Sequence, residues 1–145
     1  HQWKGMDFAT QAQAIRELTE KYQVEYIGID ATGIGQGVFQ LVRAFWPAAR
    51  EIRYSPEVKT AMVLKAKDTI SRGCLEYDAG ATDITQSFMA IRKTMTSSGR
   101  SATYEASRSE EASHADVAWA TMHALLNEPL TAGSGQASSS ILEFY

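Results

Sequence analysis

This 145-residue sequence has almost no cysteine, no apolar run of membrane length, no leader-like opening, no surplus of basic charge and no internal repeat. Each absence excludes a class. A lone cysteine, Cys74, closes no internal disulfide and builds no Cys-rich zinc site, so nothing marks an oxidising compartment and the cytoplasm fits best. The longest uncharged stretches, such as residues 31–42, fall short of the roughly 18 apolar residues a membrane span needs. With 14 Lys and Arg against 17 Asp and Glu, the net charge is -3, which excludes a basic, tail-like nucleic-acid binder. It does not exclude a nuclease, whose site requires carboxylates. The opening His1-Gln2-Trp3-Lys4-Gly5 shows neither an initiator Met nor a secretion pattern, and the chain reads as a fragment of something longer.

What is present is a single-domain quantity of apolar residues, 44%, in alternating helical and strand patterns. Phe8, Ala12, Ile15, Leu18 and Tyr22 recur at helical spacing over residues 7–23, with Asp7 placed as the cap. Residues 24–30 read as a strand stopped by the glycine run Gly33-Ile34-Gly35-Gln36-Gly37, and a helix follows over 38–45. Residues 50–54 read as a short strand. Ser55-Pro56-Glu57 is a helix start, with Ser as cap and Pro at the first helical position, for a helix running to about residue 71. Residues 74–77 read as a further short strand. Thr82 is expected to cap a helix reaching Ile91 and Arg92, and 93–96 with 102–105 flank a hairpin turn at Ser97-Ser98-Gly99-Arg100. Ser113 opens a last helix to about residue 127. Residues 129–145 form a Gly/Ser-rich, flexible tail with an apolar tip, Ile141 to Tyr145. The expected class is an α/β layer fold with a mixed sheet, and its domain boundaries are 1–128 and the 129–145 tail.

Three groups of residues carry chemistry. Asp30 ends an apolar strand, where a carboxylate is costly to bury unless it is paired, hydrogen-bonded or bound to a cation. It serves equally well as a turn residue that accepts from its own loop. The glycine run after it is neither a Walker A loop nor Gly-x-Gly-x-x-Gly, and no phosphate-binding lysine follows, so it reads as a tight turn with close packing. Asp116 and His114 stand at the start of the apolar last helix. Asp116 is either a capping acid or a ligand that converges with Asp30 on a divalent cation, since Mg²⁺ and Mn²⁺ favour oxygen donors. His123, deep in that helix, reads as core. Residues 50–72 hold six cations against three acids, a local +3 able to meet phosphates, and Arg92, Lys93, Arg100 and Arg108 surround the hairpin. An ordinary solvated face explains these charges as well. No nucleophile-elbow motif is present.

Tyr26-Ile27-Gly28-Ile29-Asp30-Ala31-Thr32-Gly33-Ile34-Gly35 and Ser113-His114-Ala115-Asp116 resemble the nuclease domain of tailed-phage terminase large subunits. Arg53-Tyr54-Ser55-Pro56-Glu57-Val58-Lys59 and Thr103-Tyr104-Glu105-Ala106-Ser107-Arg108 extend the resemblance, which covers residues 1–128. It implies an RNase H-like mixed sheet flanked by helices and a metal-dependent endonuclease that cuts concatemeric viral DNA by two-metal phosphodiester hydrolysis. It further implies Mg²⁺ or Mn²⁺ as cofactor, and as partners double-stranded DNA, an ATPase domain in the same subunit, the terminase small subunit and the portal. The expected place is the host bacterial cytoplasm. Of the family's three metal-binding acids, Asp30 matches the second and Asp116 the third, with His114 orienting or transiently coordinating beside them. The first has no counterpart, so the N-terminal strand of the domain is expected to be missing and the isolated chain to be weak or inactive. Lys59, Lys65 and Arg108 are the candidate contacts to the DNA. The competing readings are a non-catalytic DNA- or protein-binding module of the same fold and a junction resolvase.

Overall fold

The computed structural model describes residues 3, 5–99, 101–106 and 115–128. In chain order these form α1 (Phe8–Lys21), β1 (Gly28–Asp30), α2 (Gly35–Phe45), β2 (Arg50–Ile52), α3 (Pro56–Ser71), α4 (Thr82–Met89), β3 (Ile91–Met95), β4 (Ala102–Ala106) and α5 (Ala115–Leu126). The chain divides into two compact units, one of residues 1–61 with 94–103, the other of 62–93 with 104–145. The α/β class holds. Among the described residues the strands pair as β1 with β2 and β3 with β4.

The first unit is built around a parallel pair. Gly28, Ile29 and Asp30 stand opposite Arg50, Glu51 and Ile52, and the ladder extends by one bond at each end, Arg50 N–H to the Ile27 carbonyl and Ala31 N–H to the Ile52 carbonyl, both at 2.8 Å. A parallel pair needs a crossover, and α2 supplies it. Helices α1 and α2 pack on each other, and α2 packs on β1. The core between them is Ala12, Val38, Phe39 and Val42 with Ala31 and Ala49 from the strand ends, backed by Ile15, Ile27, Ile29, Phe45 and Trp46. As the spacing predicts, α1 starts at an Asp7 cap. The Asp7 carboxylate accepts the Thr10 N–H at 2.9 Å, and that bond holds the carboxyl below its ordinary range.

Several boundaries differ from the sequence expectation: β1 begins at Gly28 rather than at residue 24 and β2 ends at Ile52 rather than at residue 54, and three other segments differ as well. Helix α2 starts at Gly35, three residues before the predicted Val38, because the glycines are needed there for contact. A Cβ at Gly35 would collide with the Asp30 carbonyl oxygen, and one at Gly37 would sit 2.7 Å from the Phe8 ring. Residues 74–77 are not a strand. They have no partner strand, and all but Leu75 are exposed, so nothing satisfies a ladder there. Helix α4 ends at Met89 rather than reaching Arg92, and its cap position is Ala81, with Thr82 already helical. Ile91 and Arg92 instead open β3, which pairs with β4 across the expected turn. Thr96 N–H donates to the Ser101 carbonyl at 2.8 Å, and Gly99 holds a φ of +66° that disfavours a side chain.

In the second unit, α4 packs against α5. Ala115, Ala118, Met122, His123 and Leu125 of α5 are buried, so His123 is a core residue as predicted. Met62, Val63, Ala66 and Thr69 of α3 are buried as well. Among the described residues no helix is long and apolar enough to cross a membrane.

Candidate functional site

The carboxyl ends of parallel strands are where an open α/β sheet places its chemistry, because loops and helix starts converge there without blocking the strand edge. Asp30 is the last residue of β1 and is half-buried. Its Oδ1 accepts the Thr32 N–H at 2.8 Å, which is the turn bond that the sequence allows for a strand-ending Asp. Among the described residues Oδ2 has no hydrogen bond and the carboxylate has no ion pair. One oxygen thus sets the loop, and the other makes no hydrogen bond among the described residues.

The loop itself is tightly determined. Gly33 carries a φ of +62°, turning the chain from β1 into α2, and Gly35 lies so close to the Asp30 carbonyl that no side chain fits between them. The Thr32 hydroxyl accepts the Tyr54 N–H at 3.0 Å, tying the loop after β1 to the segment after β2. Arg53, just past β2, is paired with Glu51 and donates to the Gln36 side-chain oxygen at 3.2 Å. At the carboxyl ends of the β1–β2 pair, Thr32 is thus bonded to Asp30 and Tyr54, and Arg53 joins Glu51 to Gln36. Thr32 and Gln36 escaped the sequence reading, because their partners lie 22 and 17 residues away and only the parallel pairing brings them near.

Asp116 lies in the second unit, exposed in the first turn of α5. That helix is held at both ends by other elements. Ser87 Oγ of α4 accepts the Ala118 N–H at 2.7 Å, and Lys65 Nζ of α3 donates to the carbonyls of Leu126, at 3.2 Å, and Glu128. A cation on the last carbonyls of a helix offsets their unsatisfied partial charge. Replacing Lys65 by Met should therefore lower the melting temperature by about 5 °C, on the basis of a charged hydrogen bond worth about 1.5 kcal/mol. Differential scanning fluorimetry checks this, with Lys67→Met as control. Lys67 is exposed and has no hydrogen bond or ion pair among the described residues, so its substitution should leave the transition where it is.

The other predicted site residues fall as follows. Lys59 stands in α3 with its ammonium 5.7 Å from the centre of the Tyr54 ring. Within the locally basic stretch, Arg53 is paired with Glu51 and Arg72 with Asp68, acids already counted in the +3. His114, Arg108 and the Ser113 cap lie outside the described residues, as does the 129–145 tail. Among the described residues no group of three or more His, Cys, Asp or Glu side chains gathers into a ready metal cluster. The donor chemistry nevertheless suits a hard cation. Asp30 offers a half-buried carboxylate with a free oxygen, and Asp116 offers a second carboxylate on a helix start.

Residues 1–128 match the family described as the terminase RNaseH-like domain. The whole chain is 84% identical to a segment of the terminase ATPase subunit of Escherichia phage P2, and that segment is 25% of the phage protein. A probable terminase ATPase subunit of Haemophilus phage HP1 is 44% identical over 90% of the chain, which covers 22% of that protein. The chain thus spans about a quarter of the length of these curated relatives. The solved large terminase nuclease of thermophilic phage G20c, with bound cobalt, superimposes with a TM-score of 0.70 at 17% identity, over 86% of this chain and 64% of that one. That likeness shows the RNase H-like fold.

Proposed function

Because the chain belongs to the terminase RNase H-like domain family, we propose that it is the nuclease part of a phage terminase large subunit and hydrolyses phosphodiester bonds of double-stranded DNA. The observation that carries this reading is Asp30, a half-buried carboxylate at the carboxyl end of β1 with one oxygen fixed by Thr32 N–H and the other free. Asp30 and Asp116 are the proposed ligands of divalent cations, Mg²⁺ or Mn²⁺, with His114, two positions before Asp116 in the chain, in the proposed role of orienting or transiently coordinating. Such a cation would supply an activated water and charge neutralisation at the phosphate. The solved relative with bound cobalt supports a divalent ion in this role.

The chain's own contribution is positioning. Thr32, Gly33 and Gly35 hold Asp30 in one orientation, so its charge is in place before a phosphate arrives. Lys59, Lys65 and Arg108 are the proposed contacts to the DNA backbone. Of these Lys65 has its ammonium already engaged by two carbonyls. With a net charge of -3, the chain should bind DNA weakly and lose it on adding salt. The relatives named as terminase ATPase subunits support an ATPase domain in the same polypeptide as a partner, and the small subunit and portal complete the proposed packaging assembly in the host cytoplasm.

A second reading has its own observation. The Thr32 N–H bond gives Asp30 a structural role, and a non-catalytic module of this fold needs no more than that. Supercoiled plasmid, linear duplex and a four-way junction incubated with the chain and Mn²⁺ separate the cases. Weak nicking of the plasmid that stops with EDTA is expected, in keeping with a metal site in which the family's first acid has no counterpart. Preferred cleavage of the junction would favour a resolvase, and an absence of both cleavage and any Mn²⁺ effect on thermal stability would favour the binding module.

A further inference from the structure

We infer that Ser87, a residue of α4, is a positioning residue for Asp116. The inference rests on the reading of Asp116 as a metal ligand. Ser87 is fully buried, at 0% exposure, in α4, which packs against α5, where Ala115, Ala118 and Met122 are buried. Its Oγ accepts the Ala118 N–H at 2.7 Å. Ala118 is itself 0% exposed, so no water can replace that acceptor.

Ala118 is the fourth residue of α5, and its amide closes the opening turn that carries Asp116. A side chain 31 residues away, Ser87 of α4, accepts from that amide. The bond is made two residues after Asp116, on the same turn. It fixes where that turn begins and how it is rotated, and so fixes where the Asp116 carboxylate stands. Groups that orient a ligand without touching the ion commonly govern its affinity by roughly 10-fold or more.

The test is Mn²⁺ binding to the 145-residue chain, read from loss of the free-ion electron paramagnetic resonance signal, together with amide exchange at Ala118. Four proteins are compared: wild type, Ser87→Ala, Asp116→Ala and Leu125→Val. Leu125 is buried in the last turn of α5, so its shortening weakens packing without touching the opening turn. The expected result is that Ser87→Ala binds Mn²⁺ roughly 10-fold more weakly and speeds exchange at Ala118. Leu125→Val should lose thermal stability yet bind as wild type does. If Ser87→Ala binds Mn²⁺ like wild type while Asp116→Ala does not, Ser87 only packs and the inference is overturned. If Asp116→Ala also binds like wild type, the ligand reading of Asp116 fails first, and the positioning role falls with it.

Discussion

Asp30→Asn should lower Mn²⁺-dependent plasmid cleavage about a thousandfold while leaving the fold intact, which corresponds to about 4 kcal/mol of barrier. The two functions of the carboxylate come apart in this substitution. An Asn side chain keeps an oxygen in the Oδ1 position, so the Thr32 N–H is still accepted and the loop still closes. What disappears is the negative charge and the second anionic oxygen. Asp30→Ala removes both, and should show the same loss of cleavage plus a drop in stability of about 1 kcal/mol from the unmet Thr32 amide. Rates come from single-turnover linearisation of supercoiled DNA, stabilities from urea denaturation. Wild-type cleavage by Asp30→Asn would leave Asp30 a turn residue and nothing more.

Gly35→Ala carries the second large effect, and it is expected on stability and activity together. The added Cβ would meet the Asp30 carbonyl oxygen, which is backbone and cannot rotate away. That carbonyl belongs to the last residue of β1, so relief requires moving either the strand end or the first turn of α2. Forcing one extra carbon into such a contact costs about 3 kcal/mol. Whichever part moves, the Asp30 carboxylate moves with it. Chemical denaturation should show the lower stability, and Mn²⁺ affinity should fall even at temperatures where the variant is fully folded. Gly33→Ala is a useful contrast, because nothing lies within 4 Å of its Cβ and its penalty comes only from the φ of +62°. A Gly35→Ala protein as stable as wild type would show that the loop has room that its geometry does not indicate.

Much of the fold could be read from neighbouring residues. The Asp7 cap, the Ser55-Pro56-Glu57 helix start and the 97–100 turn are local signals, each satisfied within a few positions. Ser55 Oγ indeed accepts the Val58 N–H at 3.2 Å. The errors fall where tertiary contact overrides local preference. Glycine is a poor helix former, so the run from Gly33 to Gly37 read as turn alone, yet close approach to Asp30 and to the Phe8 ring requires Gly35 and Gly37 inside the helix. Cys74, Leu75, Glu76 and Tyr77 have strand-like character and no strand to pair with.

Of the candidate site, Asp30 and Asp116 were legible because a carboxylate at a strand end or a helix start is conspicuous. Thr32, Gln36 and Ser87 were not. Serine and threonine are common everywhere, and only the partner, tens of residues distant, shows what these particular ones are for. Lys65 was visible as a charge, but its use at the end of α5 was not.

The anchoring of α5 at Ala118 and again at Leu126 makes the helix a ruler. Eight residues separate the two anchors, about 12 Å of helix. Substitutions along this span change composition but not length. Removing or inserting one residue would turn everything upstream by about 100° against the anchors, carrying Asp116 to a different side. Over evolutionary time α5 should therefore accept exchanges of residue far more readily than any change in their number.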